Sequence, residues 1–536
     1  LKINTKSLIY GTAVMTLANL TIRILGFVYR VVLSRIIGPQ GLGLIQLVYP
    51  VFFIAVAFTG SGLPLAVSRL VSEKKAKADH DGARYTISLS LILVAIISIV
   101  IIAIVLLNID FIIQKIIGDN RVKGSLIVIL PSLLFIGFAQ VFKGYFYGTR
   151  DVNPPALAEV IEQVTRMGVA IGLLLWAAPK YSLPIVAALV MVGTVIGDLV
   201  SLLYVHSKYS IEQRKLLRSI GPYKRLTIDG SKGILASIGK IAIPVTCTRL
   251  VSSLLTAANS IIIPQRLMAA GMIQDDAVGL FGIMTGMVLP MLFMPFIVTN
   301  ALQVNLVPNL AESVTLKRTK DLKDKIRKAI IITSYTAFPA VGLLVSLGAP
   351  IGDLLYAQPM VGQLHAQPMV GQLLVPTAFG LVFHALSHTS TGIMNGLAQQ
   401  NKAAIHYIIG SLVQLICSYA LIAIPSIGIY GFIIGFYASS IMICLLNLKS
   451  ALSKVRLNFK LLDWILKPAL SALVMAAVCS VLYQLLAGTG MPALIRLLFS
   501  FAPGAFSFLV SALALGGIPD WLVDSAKEKV SSFRGK

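Results

Sequence analysis

Apolar residues fall in long unbroken blocks, not in alternation. The blocks at 87–107, 125–142, 183–205 and 469–486 are typical, each near the 20 or so residues that carry a helix across a hydrocarbon core of about 30 Å. Lipid offers no partner to an open backbone amide, so a spanning segment must close its own hydrogen bonds. Continuous blocks fit helices, whereas barrel strands would alternate. The pattern predicts an all-α integral membrane protein of about fourteen spans, near 8–35, 43–66, 84–108, 124–147, 155–177, 183–206, 236–263, 278–302, 329–348, 373–398, 403–424, 428–449, 463–487 and 492–516. Connections after the even-numbered spans are basic: Lys74, Lys75 and Lys77, then Lys143 and Arg150, then Arg214, Lys215 and Arg218. Lys317, Arg318 and Lys320 follow, then Lys402, then Lys454, Arg456 and Lys460. The odd connections are poor in Lys and Arg. This bias predicts both termini on the cytoplasmic side of the cell membrane.

Composition agrees. Of 536 residues, 57% are hydrophobic and 12% charged, where a soluble domain has roughly 45–50% and 25%. A net charge of +24 would suggest nucleic acid in a soluble protein. Here the basic inner connections account for it, and no nucleic-acid partner is expected. Lys2 and Lys6 precede an apolar run that continues through Ile37 and contains arginines, so the run reads as the first span and not as a cleaved leader. The 4 cysteines lie inside apolar segments at spacings that fit neither a zinc site nor a disulfide framework. No P-loop, nucleophile elbow, zincin motif or acidic catalytic cluster is present. The expectation is a protein that is not an enzyme and carries no cofactor or metal.

The halves resemble each other. Gly144, Gly148 and Asn153 recur as Gly392, Gly396 and Asn401, each 248 residues on. Arg23 on span one has a counterpart in Arg249 on span seven, and each of those spans ends near a proline, Pro39 and Pro264. Two parallel six-helix repeats are expected, followed by two C-terminal helices: an N-terminal lobe at 1–232, a C-terminal lobe at 233–450, and the last helices with a cytoplasmic tail at 451–536. Transporters built from such repeats alternate the access of a substrate site. A separate tandem copy, AQPMVGQL at 357–364 and 366–373, reads as a lengthened outward loop.

Charges within the spans are costly and face a cavity or a partner. Arg23 and Arg30 lie seven apart, on one helix face. With Arg249 they are the candidate substrate-binding residues, because guanidinium forks suit phosphate oxygens. Glu159, Glu162 and Arg166 follow i, i+3, i+7 and form a candidate charge pair, structural or coupling. Asp198 and Lys240 lie close to the basic inner connections and read as interfacial. His384 and His388, one turn apart, read as a polar seam.

Three stretches carry a family resemblance: 21–38 (TIRILGFVYRVVLSRIIG), 60–73 (GSGLPLAVSRLVSE) and 143–166 (KGYFYGTRDVNPPALAEVIEQVTR). They resemble the oligosaccharide-flippase branch of the MOP exporter superfamily, which includes lipid II flippases of the MurJ type and sporulation proteins tied to cortex peptidoglycan. The resemblance implies a flippase for a polyprenyl-pyrophosphate-linked glycan, with membrane lipids and cell-wall synthesis enzymes as partners. It also implies that Arg23 and Arg249 meet the pyrophosphate and that the last two helices hold the polyprenyl tail. In lipid II flippases the second arginine of helix one follows the first by six residues, and helix two carries charges. Here the step is seven and 41–68 has no charge, which points to an anionic polyprenyl-linked glycan more broadly than to lipid II. The alternatives are a polysaccharide repeat-unit translocase and a MATE-like exporter of cations, which would use carboxylates such as Glu159 and Glu162.

Overall fold

The computed structural model describes residues 5–220, 228–356 and 366–517. Every regular element among them is helical. The main helices are α1 (Thr5–Gly60), α2 (Leu63–Ala76), α3 (His80–Leu107), α4 (Ser132–Thr149), α5 (Asn153–Ala177), α6 (Leu183–Ile220), α7 (Ile228–Ala269) and α8 (Gln274–Gly282). They continue with α9 (Phe296–Thr315), α10 (Thr319–Leu355), α11 (Ala366–Ala378), α12 (Gly380–Gly396), α13 (Gln400–Ile422), α14 (Tyr430–Val455), α15 (Lys467–Leu485) and α16 (Ala493–Ala514).

Burial on α3 is inverted relative to a water-soluble helix. Ser90, Val94 and Ser98 are buried, while Ile92, Ile96 and Ile99 are more than half exposed. Small and polar groups pack inward and large apolar ones face out, as lipid requires. Among the described residues 12 segments are long and apolar enough to cross a membrane, or 13 when α11 and α12, bent by 51°, form one. The two spans expected at 8–35 and 43–66 account for part of the difference from fourteen. They fall in one run, Val14–Ala76, and no loop separates them. The break is at Gly38, with φ 67° and ψ −175°. A residue before proline is kept out of the right-handed helical region, and glycine accepts positive φ without a steric penalty. Pro39 then restarts the helix where its missing N–H costs nothing.

By proximity the chain forms two compact units, one built mainly from residues up to Met287, the other mainly from Val288 onward. In the first, a Cβ on Gly144 would lie 2.8 Å from the Pro64 carbonyl, and one on Gly148 2.6 Å from the Ser68 carbonyl, so α4 rides directly on α2. In the second, a Cβ on Gly392 would lie 2.8 Å from Gln303 and one on Gly396 2.7 Å from Leu310, so α12 rides on α9. The repeat extends to the backbone of the helix ends. Arg150 (φ 64°) and Asp151 donate to the carbonyls of Tyr147 and Phe146; Ala398 (φ 56°) and Gln399 donate to those of Asn395 and Met394. Ala78 (φ 54°) and Lys317 (φ 53°) close α2 and α9 in the same way. The left-handed residue satisfies carbonyls that the last turn leaves open.

The duplicated segment differs from expectation. The first copy lies outside the described residues, but the second opens α11 and is helical. Its proline, Pro368, falls in the first turn, where helices tolerate one. Its glycine, Gly371, sits against Ala349 of α10, 2.6 Å from where a Cβ would stand.

Candidate functional site

In the first unit, α1, α4, α5 and α6 line a cavity of about 500 Å³. Helical spacing selects the lining. Ile136, Ala139, Gln140 and Lys143 of α4 follow i, i+3, i+4, i+7, as do Glu159, Glu162 and Arg166 of α5 at i, i+3, i+7. The close packing of α4 on α2 through Gly144 fixes which face of α4 turns inward.

Six charged side chains meet on the wall. Lys143, 3% exposed, places Nζ 3.6 Å from Glu159 Oε1 and 4.0 Å from Glu162 Oε2. Arg166 Nη2 lies 2.6 Å from Glu162 Oε1 and 3.4 Å from Asp198 Oδ1. Arg30 completes the set. Three cations and three carboxylates cancel when all are ionised. Desolvating each ion costs several kcal/mol unless a partner offsets it; Lys143 pairs with Glu159 and Glu162, and Arg166 with Glu162 and Asp198, while Arg30, more exposed, stands outside this chain.

The structure therefore brings together Arg30, Glu159, Glu162 and Arg166. Arg23 and Arg249 are exposed and do not line this cavity. Asp198, read as lying close to the basic inner connections, is 2% exposed and paired with Arg166 on the cavity wall. Lys143, read as a loop flank, is a cavity residue. Its signal was present in the sequence, since it precedes the close-packing Gly144 and one connection separates it from two glutamates. The second unit repeats the framework without the charges. Thr391 and Asn447, 248 and 249 residues beyond Lys143 and Asp198, bond to each other at 3.0 Å, and Asn447 bonds to His406 at 2.8 Å. His384 stacks on Phe293 with ring centroids 5.1 Å apart, and His388 Nδ1 lies 3.1 Å from Gln303 Oε1.

The sequence model of the polysaccharide biosynthesis protein family matches residues 8–313, more than half of the chain. The chain belongs to that family. A second model, that of the lipid II flippase MurJ, matches residues 277–497. Stage V sporulation protein B of Bacillus subtilis (strain 168) is 25% identical over 456 residues, 85% of this chain and 86% of that protein. Two solved structures share the fold. The lipid II flippase MurJ in an inward closed conformation aligns with a TM-score of 0.66 at 18% identity, covering 93% of this chain and 97% of that one. A multidrug MATE transporter of the MOP superfamily, inward-facing, aligns at 0.65 and 17%, covering 82% and 94%. The MOP-superfamily resemblance read from 21–38, 60–73 and 143–166 is borne out. Among the proteins that this polysaccharide biosynthesis family protein resembles are a lipid II flippase and a multidrug transporter.

Proposed function

We propose that the protein is a flippase that moves an undecaprenyl-pyrophosphate-linked cell-wall precursor, of the peptidoglycan or spore-cortex kind, from the inner to the outer leaflet of the cytoplasmic membrane. The observation that carries the reading is the pair of family matches, which together run from residue 8 to residue 497 and join polysaccharide biosynthesis to lipid II flipping. Lobes 1–232 and 233–450 alternate access from one face to the other, with both termini cytoplasmic. Arg23 and Arg249 hold the pyrophosphate and Arg30 assists. Glu159, Glu162 and Arg166 act with Lys143 and Asp198 as an internal ionic chain of the first lobe. Enzymes of cell-wall synthesis supply and consume the lipid.

The test is translocation of a fluorescent undecaprenyl-pyrophosphate glycan in proteoliposomes. A charged hydrogen bond is worth about 1.5–3 kcal/mol, so Arg23→Ala and Arg249→Ala each slow transport by roughly 10- to 100-fold. Wild-type rates no faster than empty vesicles, or a double variant at full rate, would refute the reading. Because the fold is shared with MATE transporters, a cationic dye serves as a second substrate. Movement of the dye alone, indifferent to these arginines, would assign the protein to cation export.

A further inference from the structure

Charge pairing leaves part of the first unit's cavity unexplained. Three oxygens on its wall, Tyr29 OH, Thr194 Oγ1 and Asp198 Oδ2, are buried and make no hydrogen bond. Their residues are 7%, 4% and 2% exposed. A buried polar atom left unpaired costs about 1–3 kcal/mol, so the wall is built for a ligand that brings its own polar groups. Four side-chain amides, those of Asn19, Gln46, Gln140 and Gln163, line the same space, and each offers two donors and an acceptor. Tyr49 and Phe53 line it as well, stacked with centroids 5.4 Å apart and planes 12° from parallel. Aromatic faces of this kind give flat apolar surface to a ring laid against them.

We infer that this cavity is a subsite for the glycan of the lipid-linked substrate, taking an uncharged sugar that bears hydroxyl or acetamido groups. The inference rests on the flippase reading above. Size decides against a lone cation. A cavity of about 500 Å³ is more than ten times the roughly 30 Å³ share of one water molecule, and an ion would leave the amides and rings unused. Charge decides the kind of sugar. With Arg30 given to the pyrophosphate, two cations, Lys143 and Arg166, face three carboxylates, so an anionic sugar would lose its hydration beside Glu159, Glu162 and Asp198 with no net attraction in return.

Gly26 gives a clean steric test. A Cβ built on it has only Gln163 Nε2 within 4 Å, at 3.8 Å, so a long side chain there fills the sugar's space and leaves the ionic chain alone. Native mass spectrometry would compare retention of undecaprenyl pyrophosphate carrying one N-acetylated amino sugar with retention of bare undecaprenyl pyrophosphate. Wild type should prefer the glycosylated lipid by about tenfold or more, a difference of about 1.4 kcal/mol. Gly26→Met and Gln163→Ala should bring that ratio to about one, and Gly26→Ala should keep it. If Gly26→Met fails to elute as a folded monodisperse peak, the two remaining variants decide. Equal retention of both lipids by wild type, or a ratio unchanged in Gln163→Ala, overturns the subsite and leaves the flippase reading standing. Retention of neither lipid overturns both. A sodium- or pH-dependent retention that Asp198→Asn abolishes, with the sugar preference intact in Gln163→Ala, would make the cavity a cation site instead.

Discussion

Removing the Lys143 ammonium should destabilise the first unit more than any surface charge change. Lys143 sits 3.6 Å from Glu159 and 4.0 Å from Glu162. At an effective dielectric of about 20, those separations correspond to attractions of about 4–5 and about 4 kcal/mol. Desolvation of the ammonium takes back several kcal/mol, and breaking one partner out of a buried pair costs about 3–5 kcal/mol net. The two glutamate side chains are 31% and 25% exposed, which screens them and places Lys143→Met near the low end, about 3 kcal/mol. Neutralising Glu159 as well should return part of that loss, because the stranded carboxylate is the larger share of the cost. The double variant Lys143→Met with Glu159→Gln should therefore be more stable than Lys143→Met alone by about 1–2 kcal/mol. Equilibrium unfolding in mixed detergent micelles measures all four corners of this cycle. If Lys143→Met unfolds within about 0.5 kcal/mol of wild type, or if the two changes simply add, the lysine is not held by its glutamates and the ionic chain is wrong.

Two further outcomes follow from the helix ends. Ala398 is left-handed at φ 56°, a conformation that costs an alanine about 1 kcal/mol or more. Ala398→Gly should thus stabilise by a few tenths of a kcal/mol after the glycine's added chain entropy, whereas Ala385→Gly in the interior of the same helix should lose about 1 kcal/mol or more; melting temperatures moving in the same direction would refute the cap. Asp79 caps α3 by accepting from the Gly82 amide at 2.8 Å and pairs with Lys74 at 2.8 Å, and the lysine's hydrogen bond holds its carboxyl below the usual value of 3.8. Because the folded value is depressed, the stabilisation is complete above 3.8 and is lost as pH falls through the folded value. Asp79→Ala should cost about 0.5–1 kcal/mol at neutral pH, and the gap to wild type should narrow in acid; a gap that widens on acidification would contradict the pairing.

The membrane fold was legible because hydropathy and loop charge are properties of contiguous sequence. Arg30, Glu159, Glu162 and Arg166 could be picked out as charges within spans. Asp198 could not, and Lys143 only through its neighbour Gly144, since a charge near a basic connection looks the same whether it points to water or inward. Depth is set by how α4 packs on α2, and only Gly144 hinted at that. The Gly38–Pro39 step was read as a helix end followed by a loop. A single glycine with positive φ does the work of that loop, and nothing in hydropathy distinguishes the two. The second AQPMVGQL copy was read as part of a loop because a tandem duplication is most easily absorbed at a loop tip, yet its proline and glycine both fall where a helix accepts them.

The trio Thr391, Asn447 and His406 has a consequence for what the charged chain is needed for. The same left-handed caps stand in both units, and in the second the places of Lys143 and Asp198 are held by an uncharged hydrogen bond, Asn447 to Thr391. The frame therefore does not need an ion pair at those two positions. A first unit redrafted on that pattern, with threonine at 143, asparagine at 198 and neutral residues at 159, 162 and 166, is a blueprint for a silent twin of this protein: assembled, inserted, and stripped of whatever the ions were kept for.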